Sequence, residues 1–369
     1  MPGFRLMDRL TPLPFEATLR GKRVMVTGHT GFTGSWVCTW LHEIGATVGG
    51  FALAPVTTPS LYVAAGMDTL VDSVIGDVRD LAAVRSAMDA FRPDAVLHLA
   101  AQPLVRASYA QPVETFDINV MGTVNVLEAV RHCPSVRSVV CVTTDKVYRN
   151  NEWEWPYREN DPLGGKDPYS ASKSAAEMVI DSYRLSFAHK DAARIATARG
   201  GNIIGGGDWS DDRLVPDFVR AVTQNGKLTL RYPDATRPWQ HVLALAQGYL
   251  MLLAALFEED TKAARAWNLG PHDSREHSVR DVLTLMSAEW RAPSMDLMDS
   301  PLSEARALAL DSSLAANALG WNPPWDTARV VTETAHWYRE YYRDPSAAAA
   351  ITSDQLARWR TDLSHATHR

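Results

Sequence analysis

Cysteine is scarce: Cys38, Cys133 and Cys141 are the only three in 369 residues. They are too far apart for a metal cluster or a disulfide framework, so buried thiols in a reducing compartment are expected, and no metal site. No run approaches the ~20 apolar residues of a membrane span. The opening stretch, MPGFRLMDRLTPLPFEATLR, carries charges throughout and lacks an apolar core of signal-peptide length. A cytoplasmic protein with no membrane partner is the expectation. Positive charge is not in surplus either: 37 Lys and Arg stand against 43 Asp and Glu, a net charge of -6. Nucleic acid as main partner would need a basic face, and the composition argues against one. Internal repeats are lacking too.

What is present is an alternation. Short β-rich runs, RVMVTG (23–28), ATVGGFAL (46–53), DSVIGD (72–77), AVLHLA (95–100), SVVCVTT (138–144) and RIATARG (194–200), are separated by longer amphipathic stretches. Strands apolar on both sides of the pleat and alternating with helices predict a doubly wound parallel α/β sheet of Rossmann type. Beyond Asn202 the pattern loosens into helices near 214–224, 241–257, 278–290 and 326–343, a smaller mixed C-terminal lobe. The expected organisation is an N-terminal extension (1–20), a dinucleotide-binding domain (21–200) and a substrate lobe (201–369) partly interleaved with it.

The first strand runs into VTGHTGFTGSW, with Gly28, Gly31 and Gly34 before the first long helix. Glycine permits a positive-φ turn and lets backbone N–H groups approach a pyrophosphate, which the helix N-terminus then attracts. In this strand–turn–helix context the pattern is a dinucleotide cradle. The acid that would hold the adenosine ribose is missing after the second strand, where FALAPVTT places Ala54. No Arg is there for a 2′-phosphate, so this loop leaves NAD and NADP both open. Asp77 in GDVRD stands where it can reach the adenine or cap a helix.

A second motif lies in KDPYSASKSAAEM. Asp167 suits a helix N-cap and Pro168 the first helical position, which places Tyr169 and Lys173 one turn apart on one face. A tyrosine with a pKa near 10 is a poor base at neutral pH. An ammonium and a helix N-terminus close by would favour its phenolate and tune it for general-base work.

Together GHTGFTG, GDVRD, HLAAQPLVR, NVMGTVNVLEA and PYSASK resemble the extended short-chain dehydrogenase/reductases. AAQPLVRASY, TTDKVY, GGKDPYSASK, GGGDW, DRLVPD and RPWQHVL resemble one branch, the CDP-glucose 4,6-dehydratases, in order from about residue 14 to 340. The resemblance implies a tightly bound, recycled NAD and a CDP-hexose substrate. It implies oxidation at C4, loss of water across C5 and C6, and return of hydride to C6. Tyr169 would take the C4 hydroxyl proton, Lys173 would hold the phenolate, and Thr144 would bond the C4 oxygen. Asp145 and Lys146 would divide the elimination, Lys146 as C5 base or as cofactor clamp. Around the cofactor the resemblance places Gly28, His29, Gly31, Phe32, Thr33 and Gly34; Asp77 and Val78; Leu99, Ala100, Ala101 and Gln102; Asn119 and Thr143; and Tyr169 with Lys173. Around the substrate it places Gln102, Asn202, Arg213, Leu214, Arg237 and His241, although His241 also suits a capped helix start. Trp209 and Trp239 are read as core before ligand contacts. Ala54 and Ala244 depart from the family, which usually has acids there. Dehydration of another nucleotide-hexose and 4-epimerisation are the alternatives; the Thr144-Asp145-Lys146 triplet speaks against the epimerase, which needs no acid at C6. A homodimer or higher assembly through helices near 112–131 and 168–187 is also implied.

Overall fold

The computed structural model describes residues 11–189, 192–230, 232–271, 277–297 and 308–367. Its frame is a seven-stranded parallel sheet. Six strands come from residues 23–200: β1 (Arg23–Thr27), β2 (Thr47–Ala52), β3 (Asp72–Ile75), β4 (Ala95–His98), β5 (Ser138–Val142) and β6 (Arg194–Gly200). The seventh, Ala266–Leu269, comes from the second half and pairs with β6, so the order is Ala266–Leu269, β6, β5, β4, β1, β2, β3.

Alternation along each strand feeds two cores, because successive side chains leave opposite faces. Val24 and Val26 of β1 join Trp36, Trp40, Leu41 and Leu250 on one side. Met25 joins Val84, Met88, Val126 and Ile180 on the other. Full burial of side chains this large stabilises by roughly 1.5–3 kcal/mol each. The helix Val242–Phe257 is apolar around most of its circumference because it lies against β4, β5 and β6 on one side and is covered on the other. Helices Leu81–Phe91, Gly122–Arg131 and Pro168–Ser186 cover the opposite face.

The stretch read as one helix over 112–131 is broken into Pro112–Phe116, a π-helical turn Asp117–Met121 and Gly122–Arg131. Asn119 sits in that wide turn, a placement common at functional sites. The second half adds short strand pairs, such as Thr236–Arg237 with His277–Ser278, and two long helices, Thr327–Arg343 and Ala348–Thr367. Trp209 packs among Trp337, Tyr338 and Tyr341, and Trp239 donates its indole N–H to the His277 carbonyl at 3.0 Å, so both belong to the core. Among the described residues no helix is long and apolar enough to cross a membrane.

Candidate active site

In an open parallel sheet the crevice lies beyond the carboxyl ends of the strands, where the strand order reverses. Here that point falls between β1 and β4. The glycine loop leaves β1 there, Leu99–Gln102 leaves β4, and Thr143–Lys146 leaves the neighbouring β5.

The loop is built for close approach. Gly28 has a φ of 75°, and a Cβ on it would meet the Ala100 backbone nitrogen at 2.8 Å. A Cβ at Gly34 would lie 2.2 Å from the Gly28 carbonyl oxygen. No side chain caps the helix Phe32–Glu43, whose N-cap is Gly31, so its first N–H groups have no side-chain acceptor. These features fit a pyrophosphate. His29 contributes backbone only: its ring is buried against Gly50 and bonds the Ser73 hydroxyl at 2.7 Å, and burial lowers its pKa to about 4.

Asp167 caps the helix Pro168–Ser186 by accepting from the Ser170 N–H at 2.9 Å. Tyr169 and Lys173 are both nearly buried on that helix. The Thr144 hydroxyl donates to Asp145 Oδ1 at 3.0 Å, and the same side chain favours ionisation of the Tyr169 phenol. Gly201 and Pro238, from the second half, close over the Asp145 carboxylate: a Cβ on Gly201 would sit 3.3 Å from Asp145 Oδ2 and 3.5 Å from Pro238 Cγ. Lys146 is half-buried, and its N–H bonds Thr144 Oγ1 at 3.3 Å.

The electrostatics differ from the sequence expectation. Burial pushes the Tyr169 phenol up to about 12; Thr144 and Arg213 favour the phenolate, while Asp145 and Asp167 oppose it. The Lys173 ammonium donates to the Val142 carbonyl at 3.1 Å. Burial lowers Lys173 itself to about 8, with Cys141 and Glu177 acting against that fall.

Several expected residues are held by contacts within the protein. Asn119 accepts from the Gln102 N–H at 2.8 Å and donates to Ser172 Oγ at 2.9 Å. Gln102 spends its amide on Thr115 and on the Leu104 N–H. Val78 packs under Gly122, and Asp77 is held by Arg79 at 2.6 Å while Asp80 caps the following helix. His241 is a correction: it is fully buried, ringed by Trp36, Trp325 and Trp359, and its Nδ1 accepts from the Leu243 N–H as a helix cap. An imidazole enclosed in this way cannot reach a ligand. Arg213 is held by Asp208 at 3.0 Å and starts the helix Leu214–Thr223, whose first residue is half-buried. Asn202 accepts from the Gln240 N–H through its backbone. The backbone of Arg237 is in its strand; its side chain lies outside the described part of the structure. Sequence reasoning missed Ser108, which accepts from the Tyr169 N–H at 3.1 Å, and the buried Glu177–Arg199 pair. Arg199, a charge inside an apolar strand, was the signal available.

A glycine cradle at the switch point and a Tyr-Lys helix facing the end of β5 define the class: an extended short-chain dehydrogenase/reductase. Within it the model of the GDP-mannose 4,6 dehydratase family matches residues 25–334, and the chain belongs to that family. The chain is 44% identical over 331 residues to CDP-glucose 4,6-dehydratase of Salmonella typhimurium, covering 88% of this chain and 92% of that protein. It is 31% identical to dTDP-glucose 4,6-dehydratase of Streptomyces antibioticus, covering 86% and 92%. Among solved structures, dTDP-glucose 4,6-dehydratase from Streptomyces venezuelae with NAD and TYD bound superposes with a TM-score of 0.74 at 24% identity, covering 88% and 99%. UDP-glucose 4-epimerase of Thermus thermophilus in complex with NAD gives 0.73 at 26%, covering 86% and 99%.

Proposed function

We propose that this protein is a nucleotide-sugar 4,6-dehydratase acting on CDP-glucose with NAD. The observation that carries the reading is the buried Asp145, bonded by the Thr144 hydroxyl and near enough to act on the Tyr169 phenol. An acid placed across from the Tyr-Lys pair is what elimination at C5 and C6 needs and what epimerisation does not. The choice of cytidine rests on the 44% identity to the Salmonella enzyme.

The residues that would hold the cofactor are Gly28, Gly31 and Gly34 with the N–H groups of Phe32 and Thr33 at the pyrophosphate, and Tyr169 with Lys173 near the nicotinamide. Bound NAD supplies a hydride acceptor at the start of the cycle and a hydride donor at its end. Tyr169 accepts the C4 hydroxyl proton, and Thr144 steadies the oxygen. Asp145 delivers a proton to the departing C6 hydroxyl, and Lys146 assists removal of the C5 proton, acidified by the C4 ketone. The roles support each other electrostatically. A charged Asp145 raises the Tyr169 pKa, so a protonated Asp145 eases the demand made on the phenol. Arg213 and Asn202, with Arg237, belong to the nucleotide side.

The reading includes a homodimer, supported by apolar side chains left exposed on the expected helices: Val113 is 82%, Met178 62% and Leu185 72% exposed. A reducing, cytoplasmic setting accords with three buried free thiols. The test incubates enzyme with CDP-, dTDP-, UDP- and GDP-glucose in deuterated water. Loss of water by mass, with solvent deuterium at C5 and CDP-glucose turned over fastest, is expected. Deuterium-free product inverted at C4 would show an epimerase instead. Tyr169→Phe should lower kcat by about 10²–10⁴-fold, the usual range for loss of acid–base catalysis.

A further inference from the structure

Directly behind the candidate site a second set of charges is sealed from water. Glu177 lies on the same helix face as Tyr169 and Lys173, at spacings of four and eight residues. Its carboxylate is buried and accepts four hydrogen bonds: from Thr143 at 2.5 Å, from Thr197 at 3.1 Å, and from Arg199 Nε and Nη2 at 3.0 and 2.9 Å. The remaining Arg199 nitrogen, Nη1, donates to the Tyr148 hydroxyl at 2.8 Å and to the Glu159 carbonyl at 2.9 Å. Thr143 and Tyr148 are the two ends of the turn that carries Thr144, Asp145 and Lys146. One ion pair therefore grips both ends of the catalytic turn, one through each partner, while rooted in the helix that bears Tyr169 and Lys173.

We propose that the Glu177–Arg199 pair is a positioning unit that fixes the Thr143–Tyr148 turn in register with Tyr169 and Lys173. The roles of those residues rest on the dehydratase reading; the anchoring of the turn does not. A buried carboxylate is needed because only an acceptor with two fully available oxygens takes four donors. The amide of Glu177→Gln offers one acceptor oxygen and presents N–H groups to hydroxyls and a guanidinium. Glu177 has a second, electrostatic effect. The groups facing Lys173 are Cys141 of β5, His98 of β4 and Glu177 of its own helix. Loss of the Glu177 charge lets burial take the ammonium down further, so activity that needs it is lost at lower pH.

The test compares wild type, Glu177→Gln and the double variant Glu177→Gln/Arg199→Met. The double variant removes both charges and so avoids an unpaired buried ion, a change proteins often tolerate. The expected result in both variants is a kcat lower by roughly tenfold or more, from displaced catalytic groups. KM for the nucleotide sugar should stay within about twofold, and in Glu177→Gln the alkaline limb of the kcat profile should move down by roughly half a pH unit or more. Amide exchange over 143–148 should quicken by roughly tenfold or more while β1 and β2 keep their protection. Unchanged exchange over 143–148 overturns the proposal, as does a wild-type kcat in the double variant. Should the wild type dehydrate no nucleotide-hexose, the functional reading fails, and the exchange measurement still decides the anchoring.

Discussion

Two buried arginine–glutamate pairs lie in different regions of this molecule, and they are nearly the same object. Glu177 with Arg199 sits behind the candidate site; Glu16 with Arg360 joins the first described helix to the last. Both pairs are at most 5% exposed, and both are bidentate. Each carboxylate has four donors: Glu16 takes two from Arg360, one from the Trp40 indole at 2.7 Å and one from the Leu13 N–H at 2.9 Å. Their chemistry is matched, and their attachments are not. The bonds of Glu177 lead to Thr143 and, through Arg199, to Tyr148, which bracket reactive groups. Those of Glu16 lead to a helix start and a core tryptophan. A buried ion pair is a socket, and its purpose is set by what it is wired to.

The largest effect should come from breaking the terminal pair on one side only. Glu16→Ala leaves the Arg360 charge buried and the Trp40 N–H without that acceptor, and should cost about 3–5 kcal/mol, read by denaturant unfolding. Below the transition its kcat per folded molecule should equal that of the wild type. Replacing both partners, as Glu16→Leu/Arg360→Met, removes the unpaired charge and should recover part of that loss, the Trp40 and Leu13 N–H groups still lacking their acceptor. A drop in kcat with either variant would break the comparison, since it would wire the terminal pair to the site after all.

A smaller effect tests the surroundings of both pairs at once. Each region keeps one buried neutral histidine, His98 near Lys173 and His241 near Arg358, both lowered by burial to about 3. Above pH 6.5 neither affects stability, because the imidazole is neutral folded and unfolded. As pH falls below 6.5 the unfolded chain binds the proton first, so stability is lost down to about pH 3. Each contributes a slope approaching about 1.4 kcal/mol per pH unit. Urea unfolding between pH 7 and 5 should show this decline, and His241→Asn should reduce its slope, leaving the His98 share, without touching kcat.

Much of this was readable beforehand, and the failures share a cause. β1 to β6 lie within the runs marked by two-sided apolar patterning, because burial on both faces leaves that trace. Tyr169 and Lys173 were legible from a four-residue spacing and an Asp-Pro start. The strand Ala266–Leu269 was not, since four residues carrying one polar side chain resemble any buried loop, and only β6 defines them as a strand. The motif located His241 along the chain and misread it as a ligand contact, because position does not reveal where a side chain turns. Glu177 reads as the polar face of an amphipathic helix until Arg199 is placed opposite it.

The smallest effect comes from a third pair that keeps the chemistry and changes only the burial. Arg106, beyond the end of β4, meets Asp212 of the second half at 3.0 Å, with the two side chains 31% and 43% exposed. Water screens these charges, and ordering two long side chains costs entropy that the contact barely offsets. Exposed pairs are accordingly worth about 0.2–1 kcal/mol. Arg106→Ala should therefore shift unfolding free energy by less than about 1 kcal/mol, and the shift should shrink further as salt rises and the Debye length falls from about 10 Å to about 3 Å. Should Arg106→Ala instead destabilise as strongly as Glu16→Ala, independently of salt, burial would not be what separates these pairs. The contrast would then have to be sought in how firmly each one joins the two halves of the chain.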